Sequence, residues 1–342
     1  MSFTFRPATR EKIGLLVGIA GASGSGKTYS ALQIASGIAD GSGRIAVIDT
    51  EASRALHYAP KRGEKADPAA GTFDFLHLDF PPPFEPPRYI EAIQAAEEAG
   101  ATVIVIDSMS HEWAGEGGCS DMQGREAERM ATDRDGNMQA WKVEAMTAPA
   151  WKRPKLIHQR MMARLIQCRT HLIFCLRAQE KIRIVKKENG KGTEIVPAGF
   201  QPICEKNFMF ELSCSLTLHP ETPGMPRFDL PRKLPRDILP VFPEGHLIGV
   251  DAGRLLREWA ETGEARAEPD RVKIGVDDLI ARIQDSDRSG LEALTAEPAV
   301  RKQRAWLEAN RPDLAKRVGD AIFDALGAVE EADAAAGDNA NG

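Results

Sequence analysis

The sequence has no long hydrophobic run. Its longest, Ile13 to Ala22, ends in a glycine-rich stretch, well short of the roughly 20 apolar residues that cross a bilayer. The first residues, MSFTFRPATREKIG, carry no apolar stretch of the kind a secretory signal needs. These absences exclude a membrane-spanning or secreted protein and place the chain in a cytoplasm. Paired cysteines are missing too. The five present (Cys119, Cys168, Cys175, Cys204, Cys214) form no CxxC, and the seven histidines do not fall at finger distances from them. A zinc finger and a disulfide framework are both excluded, leaving free, mostly buried thiols in a reducing compartment. A positive net charge is likewise absent: 44 Lys and Arg against 50 Asp and Glu give −6, so this is no protein coated in basic residues.

What is present is ordinary globular composition, 42% apolar and 27% charged over 342 residues, enough for one large domain of about 250 residues and a small appendage. The charge is unevenly spread. From Trp151 to Thr193 there are twelve basic residues and two glutamates, whereas from Asp251 to Gly342 thirteen basic residues face twenty acidic ones. A basic middle suits a polyanion, and an acidic tail suits solvent or a protein partner.

Pattern supplies the order of elements. KIGLLVGIAG is a first strand that stops at glycine, and Thr28 to Ile38 is helical in spacing. IAVID is a second strand ending at Asp49, GTFDFLHLDF a third, and ATVIVIDS a fourth, apolar throughout as a strand buried on both faces must be. PPPFEPP is a rigid connector leading to a helix that runs from about Pro87 to Ala99. His111 to Ala150 reads as partly helical and mobile, Pro154 to Cys168 as a helix, and THLIFCL as a fifth core strand. KIRIVKKENGKGTEIV is a hairpin around Asn189-Gly190, and NFMFELSCSLTL a further strand. Strands alternating with helices predict an α/β fold with a mainly parallel sheet, its ligand at the strands' carboxyl ends. The domain reading is a core over 1–263, a small helical region over 264–327 built on Leu279, Ile283, Leu291, Leu294, Trp306, Leu307, Leu314, Val318 and Leu326, and a disordered acidic tail over 328–342.

One motif carries chemistry by itself. Gly21-Ala22-Ser23-Gly24-Ser25-Gly26-Lys27-Thr28 satisfies G-x4-G-K-[ST], with a strand before it and a helix after. Glycines let backbone N–H groups cradle phosphate oxygens at the helix N-terminus, Lys27 reaches the β- and γ-phosphates, and Thr28 offers its hydroxyl to Mg²⁺. Asp107, closing the fourth strand, stands where such proteins hold Mg²⁺, usually through water. At the end of the second strand come Asp49 and Glu51, which share a direction if the chain stays extended, with Thr50 facing the other way. A carboxylate there activates the attacking water or makes a surface ion pair.

These segments resemble the RecA recombinase family. AVIDTEASRALHYA resembles its strand ending Asp-x-Glu, ATVIVIDSMS its Walker B strand, and HLIFCLRAQEK the strand whose end carries a γ-phosphate sensor. The resemblance spans Lys12 to about Leu218 and is nearest to phage-encoded, core-only RecA-type ATPases associated with single-strand annealing and recombination. It implies ATP and Mg²⁺ as ligands, Glu51 as water activator, Asp107 on the metal and Ser108 beside the nucleotide. It also implies DNA-binding loops within 115–137 and 181–200, the second overlapping the basic excess. The sensor position holds Arg177, with Gln179 two residues on; either senses the γ-phosphate, or Arg177 is an arginine finger across a subunit interface. Expected contacts to single-stranded DNA are Arg160 and Arg164 on one helix face, and Lys181, Arg183, Lys186, Lys187 and Lys191 on the hairpin, with Phe200 a stacking platform. Trp113, Trp141 and Trp151 flank the basic region. A homo-oligomer and a protein partner for the C-terminal region complete the expectation, in a bacterial or phage-infected cytoplasm. Two other readings stand beside it: a P-loop small-molecule kinase of the nucleoside type, and a nucleotide-dependent phage assembly or regulatory switch that binds no DNA.

Overall fold

The computed structural model describes residues 12–133, 135–186, 192–262 and 271–338. The chain divides into two compact units, Met1–Ala265 and Arg266–Gly342.

The first unit is built on a parallel sheet of β1 (Leu16–Gly21), β2 (Ile45–Asp49), β3 (Leu76–Asp79), β4 (Val103–Asp107), β5 (His171–Lys186) and β7 (Cys214–Leu218), in the order β3-β2-β4-β5-β1-β7. β6 (Thr193–Pro202) lies off this path and pairs antiparallel with the distal half of β5. Alternation explains why β4, VIVID, is apolar up to its last residue. Val103 and Val105 join one core with Val17, Ile19 and Ile173, while Ile104 and Ile106 join a second with Leu16, Ala20 and Phe174. Both faces are covered at the centre of the sheet, so both sets of side chains there must be apolar.

Helix α1 (Lys27–Ala39) follows the glycine loop, α2 (Pro86–Glu98) follows the proline connector, and α3 (Ser110–Ala114) and α4 (Cys119–Ala131) follow β4. Then come α5 (Ala140–Met146), α6 (Lys152–Gln167), α7 (Phe208–Glu211) and α8 (Val250–Glu261). Helix α8 lies against α1 through Gly37 and Gly253: a Cβ on Gly253 would sit 2.0 Å from the Ile34 carbonyl oxygen, and one on Gly37 2.0 Å from that of Val250. No side chain fits there, so the two backbones touch.

Three details depart from the sequence reading. The third strand begins at Leu76, because Phe73, 1% exposed, already fills the core from a loop. The stretch 115–137 is mostly α4 rather than loop. The buried side of α6 is Pro154, His158, Met161, Met162 and Leu165. That phase leaves Arg160 and Arg164 half-buried at its margin rather than on an open face.

The second unit holds α9 (Arg271–Asp285), α10 (Arg288–Ala296), α11 (Pro298–Asn310) and α12 (Pro312–Asp338). Its core gathers Val276, Leu279, Ile283, Leu291, Leu294, Val300, Leu307, Leu314 and Val318. Trp306 and Leu326 are instead 48% and 40% exposed. Helix α12 continues through 328–338, where composition predicts no regular structure. The alanines there lack core-forming bulk, yet alanine has the highest intrinsic helix propensity.

Candidate nucleotide site

The carboxyl ends of the parallel strands bring the predicted residues together. Register sets them side by side: Asp49 pairs with Asp107, and Gly21 with Arg177.

The glycine loop is shaped by close approach. A Cβ on Gly21 would meet the Ser25 hydroxyl at 2.2 Å. Gly26, at φ 82°, caps α1, and a Cβ there would meet the Gly224 nitrogen at 2.8 Å. The Gly224 N–H donates to the Ser25 carbonyl at 3.0 Å, so the segment after β7 braces the loop from outside. Among the described residues, the N–H groups of Ser23, Gly24, Gly26, Lys27 and Thr28 have no backbone acceptor. Donors left over at a helix N-terminus form an anion site. Ser25 is fully buried with its hydroxyl unpartnered among the described residues. The Lys27 ammonium donates to the Ala22 carbonyl at 3.0 Å.

The Thr28 hydroxyl donates to Asp107 Oδ2 at 2.5 Å. Asp107 is 6% exposed. Burial raises its pKa to about 6, with Glu51 and Asp49 adding to the rise while the Thr28 hydrogen bond and the Lys27 charge oppose it. A buried carboxylate held against a hydroxyl, short of positive charge, is a hard oxygen pair that fits Mg²⁺. Ser108, next in the chain and fully buried, donates its N–H to the Thr50 hydroxyl at 2.7 Å.

Glu51 does not share Asp49's direction, because β2 ends at Asp49 and the chain turns, with Ala52 and Ser53 at φ 57° and 63°. Asp49, 1% exposed, instead pins the turn: its carboxylate accepts the N–H groups of Glu51 at 2.7 Å and Ala55 at 2.9 Å, and lies 3.3 Å from His77 Nε2. Glu51 is thereby placed between Arg177 at 2.9 Å and Arg54 at 3.1 Å, which leave its side chain only 15% exposed.

His111 is a site residue that motif reading passed over. Its Nδ1 lies 2.6 Å from the Thr50 hydroxyl and its Nε2 3.3 Å from the Arg177 guanidinium. Burial lowers its pKa and the Arg177 charge lowers it further. A neutral ring accepting from Arg177 at Nε2 must carry its proton on Nδ1 and donate to Thr50. The Thr50 hydroxyl then donates onward to the Ser108 carbonyl, 3.1 Å away. The Arg177 N–H also donates to the Ser110 hydroxyl at 2.8 Å, so α3 holds Arg177 through two consecutive residues. The available signal was an imidazole four residues past Asp107, which has no meaning until β4 and β5 are neighbours.

The remaining sequence candidates are spread out. Gln179 is exposed on β5, two residues past Arg177 and paired with Gln201. Lys181 is exposed on the same strand, which also carries Arg183 and Lys186; Lys187 and Lys191 lie outside the described residues. Phe200, on β6, is half-buried with its ring edge-on to His219, 5.1 Å between centroids. Trp113 and Trp151 stack on each other at 5.1 Å, whereas Trp141 on α5 is 79% exposed. No described helix is long and apolar enough to cross a membrane, and all five cysteines are free thiols.

The sequence matches a known protein family, described as AAA domain, over residues 14–204. That is more than half of the 342-residue chain. No curated protein matches it. Among solved structures, one that is similar is the crystal structure of the RadB recombinase, 18% identical, with 61% of this chain and 76% of that chain covered at a TM-score of 0.28.

Proposed function

We propose that this chain, which belongs to the AAA domain family, is a magnesium-dependent ATPase whose hydrolysis is coupled to binding single-stranded DNA in phage or prophage recombination, annealing or repair. The observation that carries the ATPase reading is the convergence of four groups at one sheet edge: the Lys27–Thr28 loop, Asp107 bonded to Thr28, and Glu51 paired with Arg177. The nucleoside and phage context rest on the resemblance to RecA-type ATPases.

In this reading the loop N–H groups and Lys27 bind the phosphates, and Thr28 and Asp107 hold Mg²⁺, Asp107 through water. Bound magnesium supplies charge neutralisation on the phosphate oxygens. Glu51 orients the attacking water and takes its proton, the role a kinase has no need of. Its ion pair with Arg177 lies within one chain, which favours Arg177 as a sensor of the γ-phosphate over an arginine finger working between subunits. Gln179 is its second on the same strand.

Strand β5 supports coupling, since it runs without a break from Arg177 into the basic hairpin with β6. Lys181 and the hairpin lysines would contact phosphates without regard to base sequence. Trp141 replaces Phe200 as the preferred stacking platform, because its ring is exposed and that of Phe200 is engaged by His219. The unit from 266 onward is a docking module for a protein partner, and the ATPase unit acts as a homo-oligomer.

The deciding experiment is ATP hydrolysis with and without single-stranded DNA. We expect several-fold stimulation, loss of nucleotide binding in Lys27→Ala, and binding without turnover in Glu51→Gln. DNA-independent phosphorylation of a nucleoside would overturn the proposal in favour of a kinase. Hydrolysis with no DNA binding even at low salt, where backbone contacts are strongest, would leave a nucleotide-driven assembly or regulatory switch.

A further inference from the structure

Behind the nucleotide edge lies a second group of ionisable side chains that the proposed ATPase does not use. Glu112 on α3, Cys119 at the start of α4 and His158 on α6 are 1%, 0% and 4% exposed. Cys119 Sγ lies 3.2 Å and His158 Nδ1 2.9 Å from the same carboxylate oxygen, Glu112 Oε1. One donor atom from each of the three comes within 4.8 Å of the others. Around them the walls are aromatic: Trp113 meets His158 edge-on at 5.8 Å, and Phe208 lies 6.4 Å from it. The fully buried Tyr89 lies beside Glu112; burial first, and then that charge, raises the pKa of its phenol.

We propose that Glu112, Cys119 and His158 form a structural site for a zinc-like divalent cation. Donor chemistry selects the class of ion. Thiolate, imidazole and carboxylate together suit zinc rather than magnesium or calcium, which take oxygen alone. Geometry agrees, since zinc ligands at 2.0–2.3 Å in a tetrahedron stand about 3.4 Å apart, inside the range that the three atoms span. Charge balance agrees as well. One thiolate and one carboxylate neutralise a divalent cation and the imidazole stays neutral, so an apolar pocket is left holding no net charge. Three protein donors leave a fourth position, and the Tyr89 hydroxyl is a hydrogen-bonding group at hand for a water bound there. Burial and the Glu112 charge push the Cys119 thiol well above its ordinary pKa, so binding the cation would release a proton from it.

The site would act on α3. Ser110 and His111 on that short helix hold Arg177, and Glu112 follows immediately. A cation tying Glu112 to α4 and α6 fixes the helix that positions the proposed sensor. Spacing analysis passes over the set because its three members come from three helices, with Cys119 and His158 39 positions apart in the chain.

The test is a cobalt titration of the full chain after zinc removal with a chelator, followed by absorbance. One equivalent of Co²⁺ should produce a thiolate-to-cobalt charge-transfer band together with the visible bands of tetrahedral cobalt. Cys119→Ala should abolish the charge-transfer band and weaken binding by at least about 100-fold, the upper loss seen when only an outer partner of a metal ligand is removed. His158→Gln should shift the visible bands. Asp107→Asn, which removes the oxygen-only site at the nucleotide edge, should leave the charge-transfer band in place. A folded wild-type protein that shows no such band, or a band that survives in Cys119→Ala, would overturn the proposal and reduce the cluster to a hydrogen-bonded triad.

Discussion

Gly253→Ala is a substitution whose sign separates two physical effects. In the interior of an exposed helix, alanine in place of glycine stabilises by up to about 1 kcal/mol through backbone propensity. At Gly253 the added Cβ would stand 2.0 Å from the Ile34 carbonyl oxygen and 2.9 Å from the Gly37 Cα. Both are backbone atoms of α1, so no side chain can turn aside. Ordinary van der Waals contact begins near 3.4 Å, and α8 must therefore withdraw from α1 by about 1.4 Å or bend. Overpacking of this kind costs about 1–3 kcal/mol, and here it acts along a helix pair with no slack. After a propensity gain of about 1 kcal/mol is deducted, we expect a net loss of up to about 2 kcal/mol, read as a lower urea midpoint at unchanged m-value. Gly124→Ala in α4, where an added Cβ meets nothing within 4 Å, is the matched control and should gain stability. Helix α1 begins with Lys27 and Thr28, so Gly253→Ala should also weaken nucleotide affinity although it touches no nucleotide. If Gly253→Ala proves as stable as Gly124→Ala, the close backbone contact is wrong and so is the account of how α8 seats the loop helix.

Other outcomes follow from the site. Removing the Asp49 carboxylate with Asp49→Ala should cost about 1–3 kcal/mol, because it leaves the buried N–H groups of Glu51 and Ala55 unsatisfied; turnover should fall by more than ATP affinity does, since the turn that aims Glu51 is lost. Protons and Mg²⁺ compete for Asp107, whose pKa in the metal-free protein is raised to about 6. Mg²⁺ affinity measured by calorimetry should therefore be flat above pH 7 and fall as the pH drops through 6, whereas Asp107→Asn should bind weakly at every pH. Arg177→Ala should lower turnover in protein too dilute to oligomerise; a defect that wild-type subunits rescue when mixed in would restore the arginine-finger reading. Trp141→Ala should weaken single-stranded DNA binding by about 1–3 kcal/mol, the usual worth of a stacked base, with the thermal midpoint unchanged because the ring is 79% exposed.

The nucleotide edge was legible because its signals are local. Gly21 to Thr28 is one contiguous motif, and Asp107 is marked by the apolar strand that it ends. Glu51 was legible by position but its orientation was not: alternation holds only while the strand lasts, and β2 stops two residues earlier. His111 and Ser110 gain meaning only when β4 and β5 pair, and pairing of strands far apart in sequence leaves no trace in either segment. The phase of α6 went astray for a related reason. His158 looks polar in sequence, yet it lies on the buried stripe because Glu112, from another helix, receives it. The third strand was read too early because Phe73 is buried, and burial alone does not separate a strand from a loop packed on the core.

Strand β5 joins two kinds of pairing in one rod. From Leu172 to Cys175 it is clamped between parallel neighbours on both sides, and from Ala178 to Lys186 it is held by a single antiparallel partner, with one shift of register between Lys181 and Ile182. A strand advances about 3.3 Å per residue and resists stretching, so Lys186 stands roughly 26 Å along the rod from Ala178. A tilt of about 5° at the clamp then carries the far end sideways by about 2 Å at that spacing. A motion too small to notice at Arg177 is thereby enlarged to the scale of a lost hydrogen bond at the hairpin. The gain of this lever grows with the length of the hairpin, and shortening the hairpin symmetrically would reduce it while every residue of the nucleotide edge stayed in place.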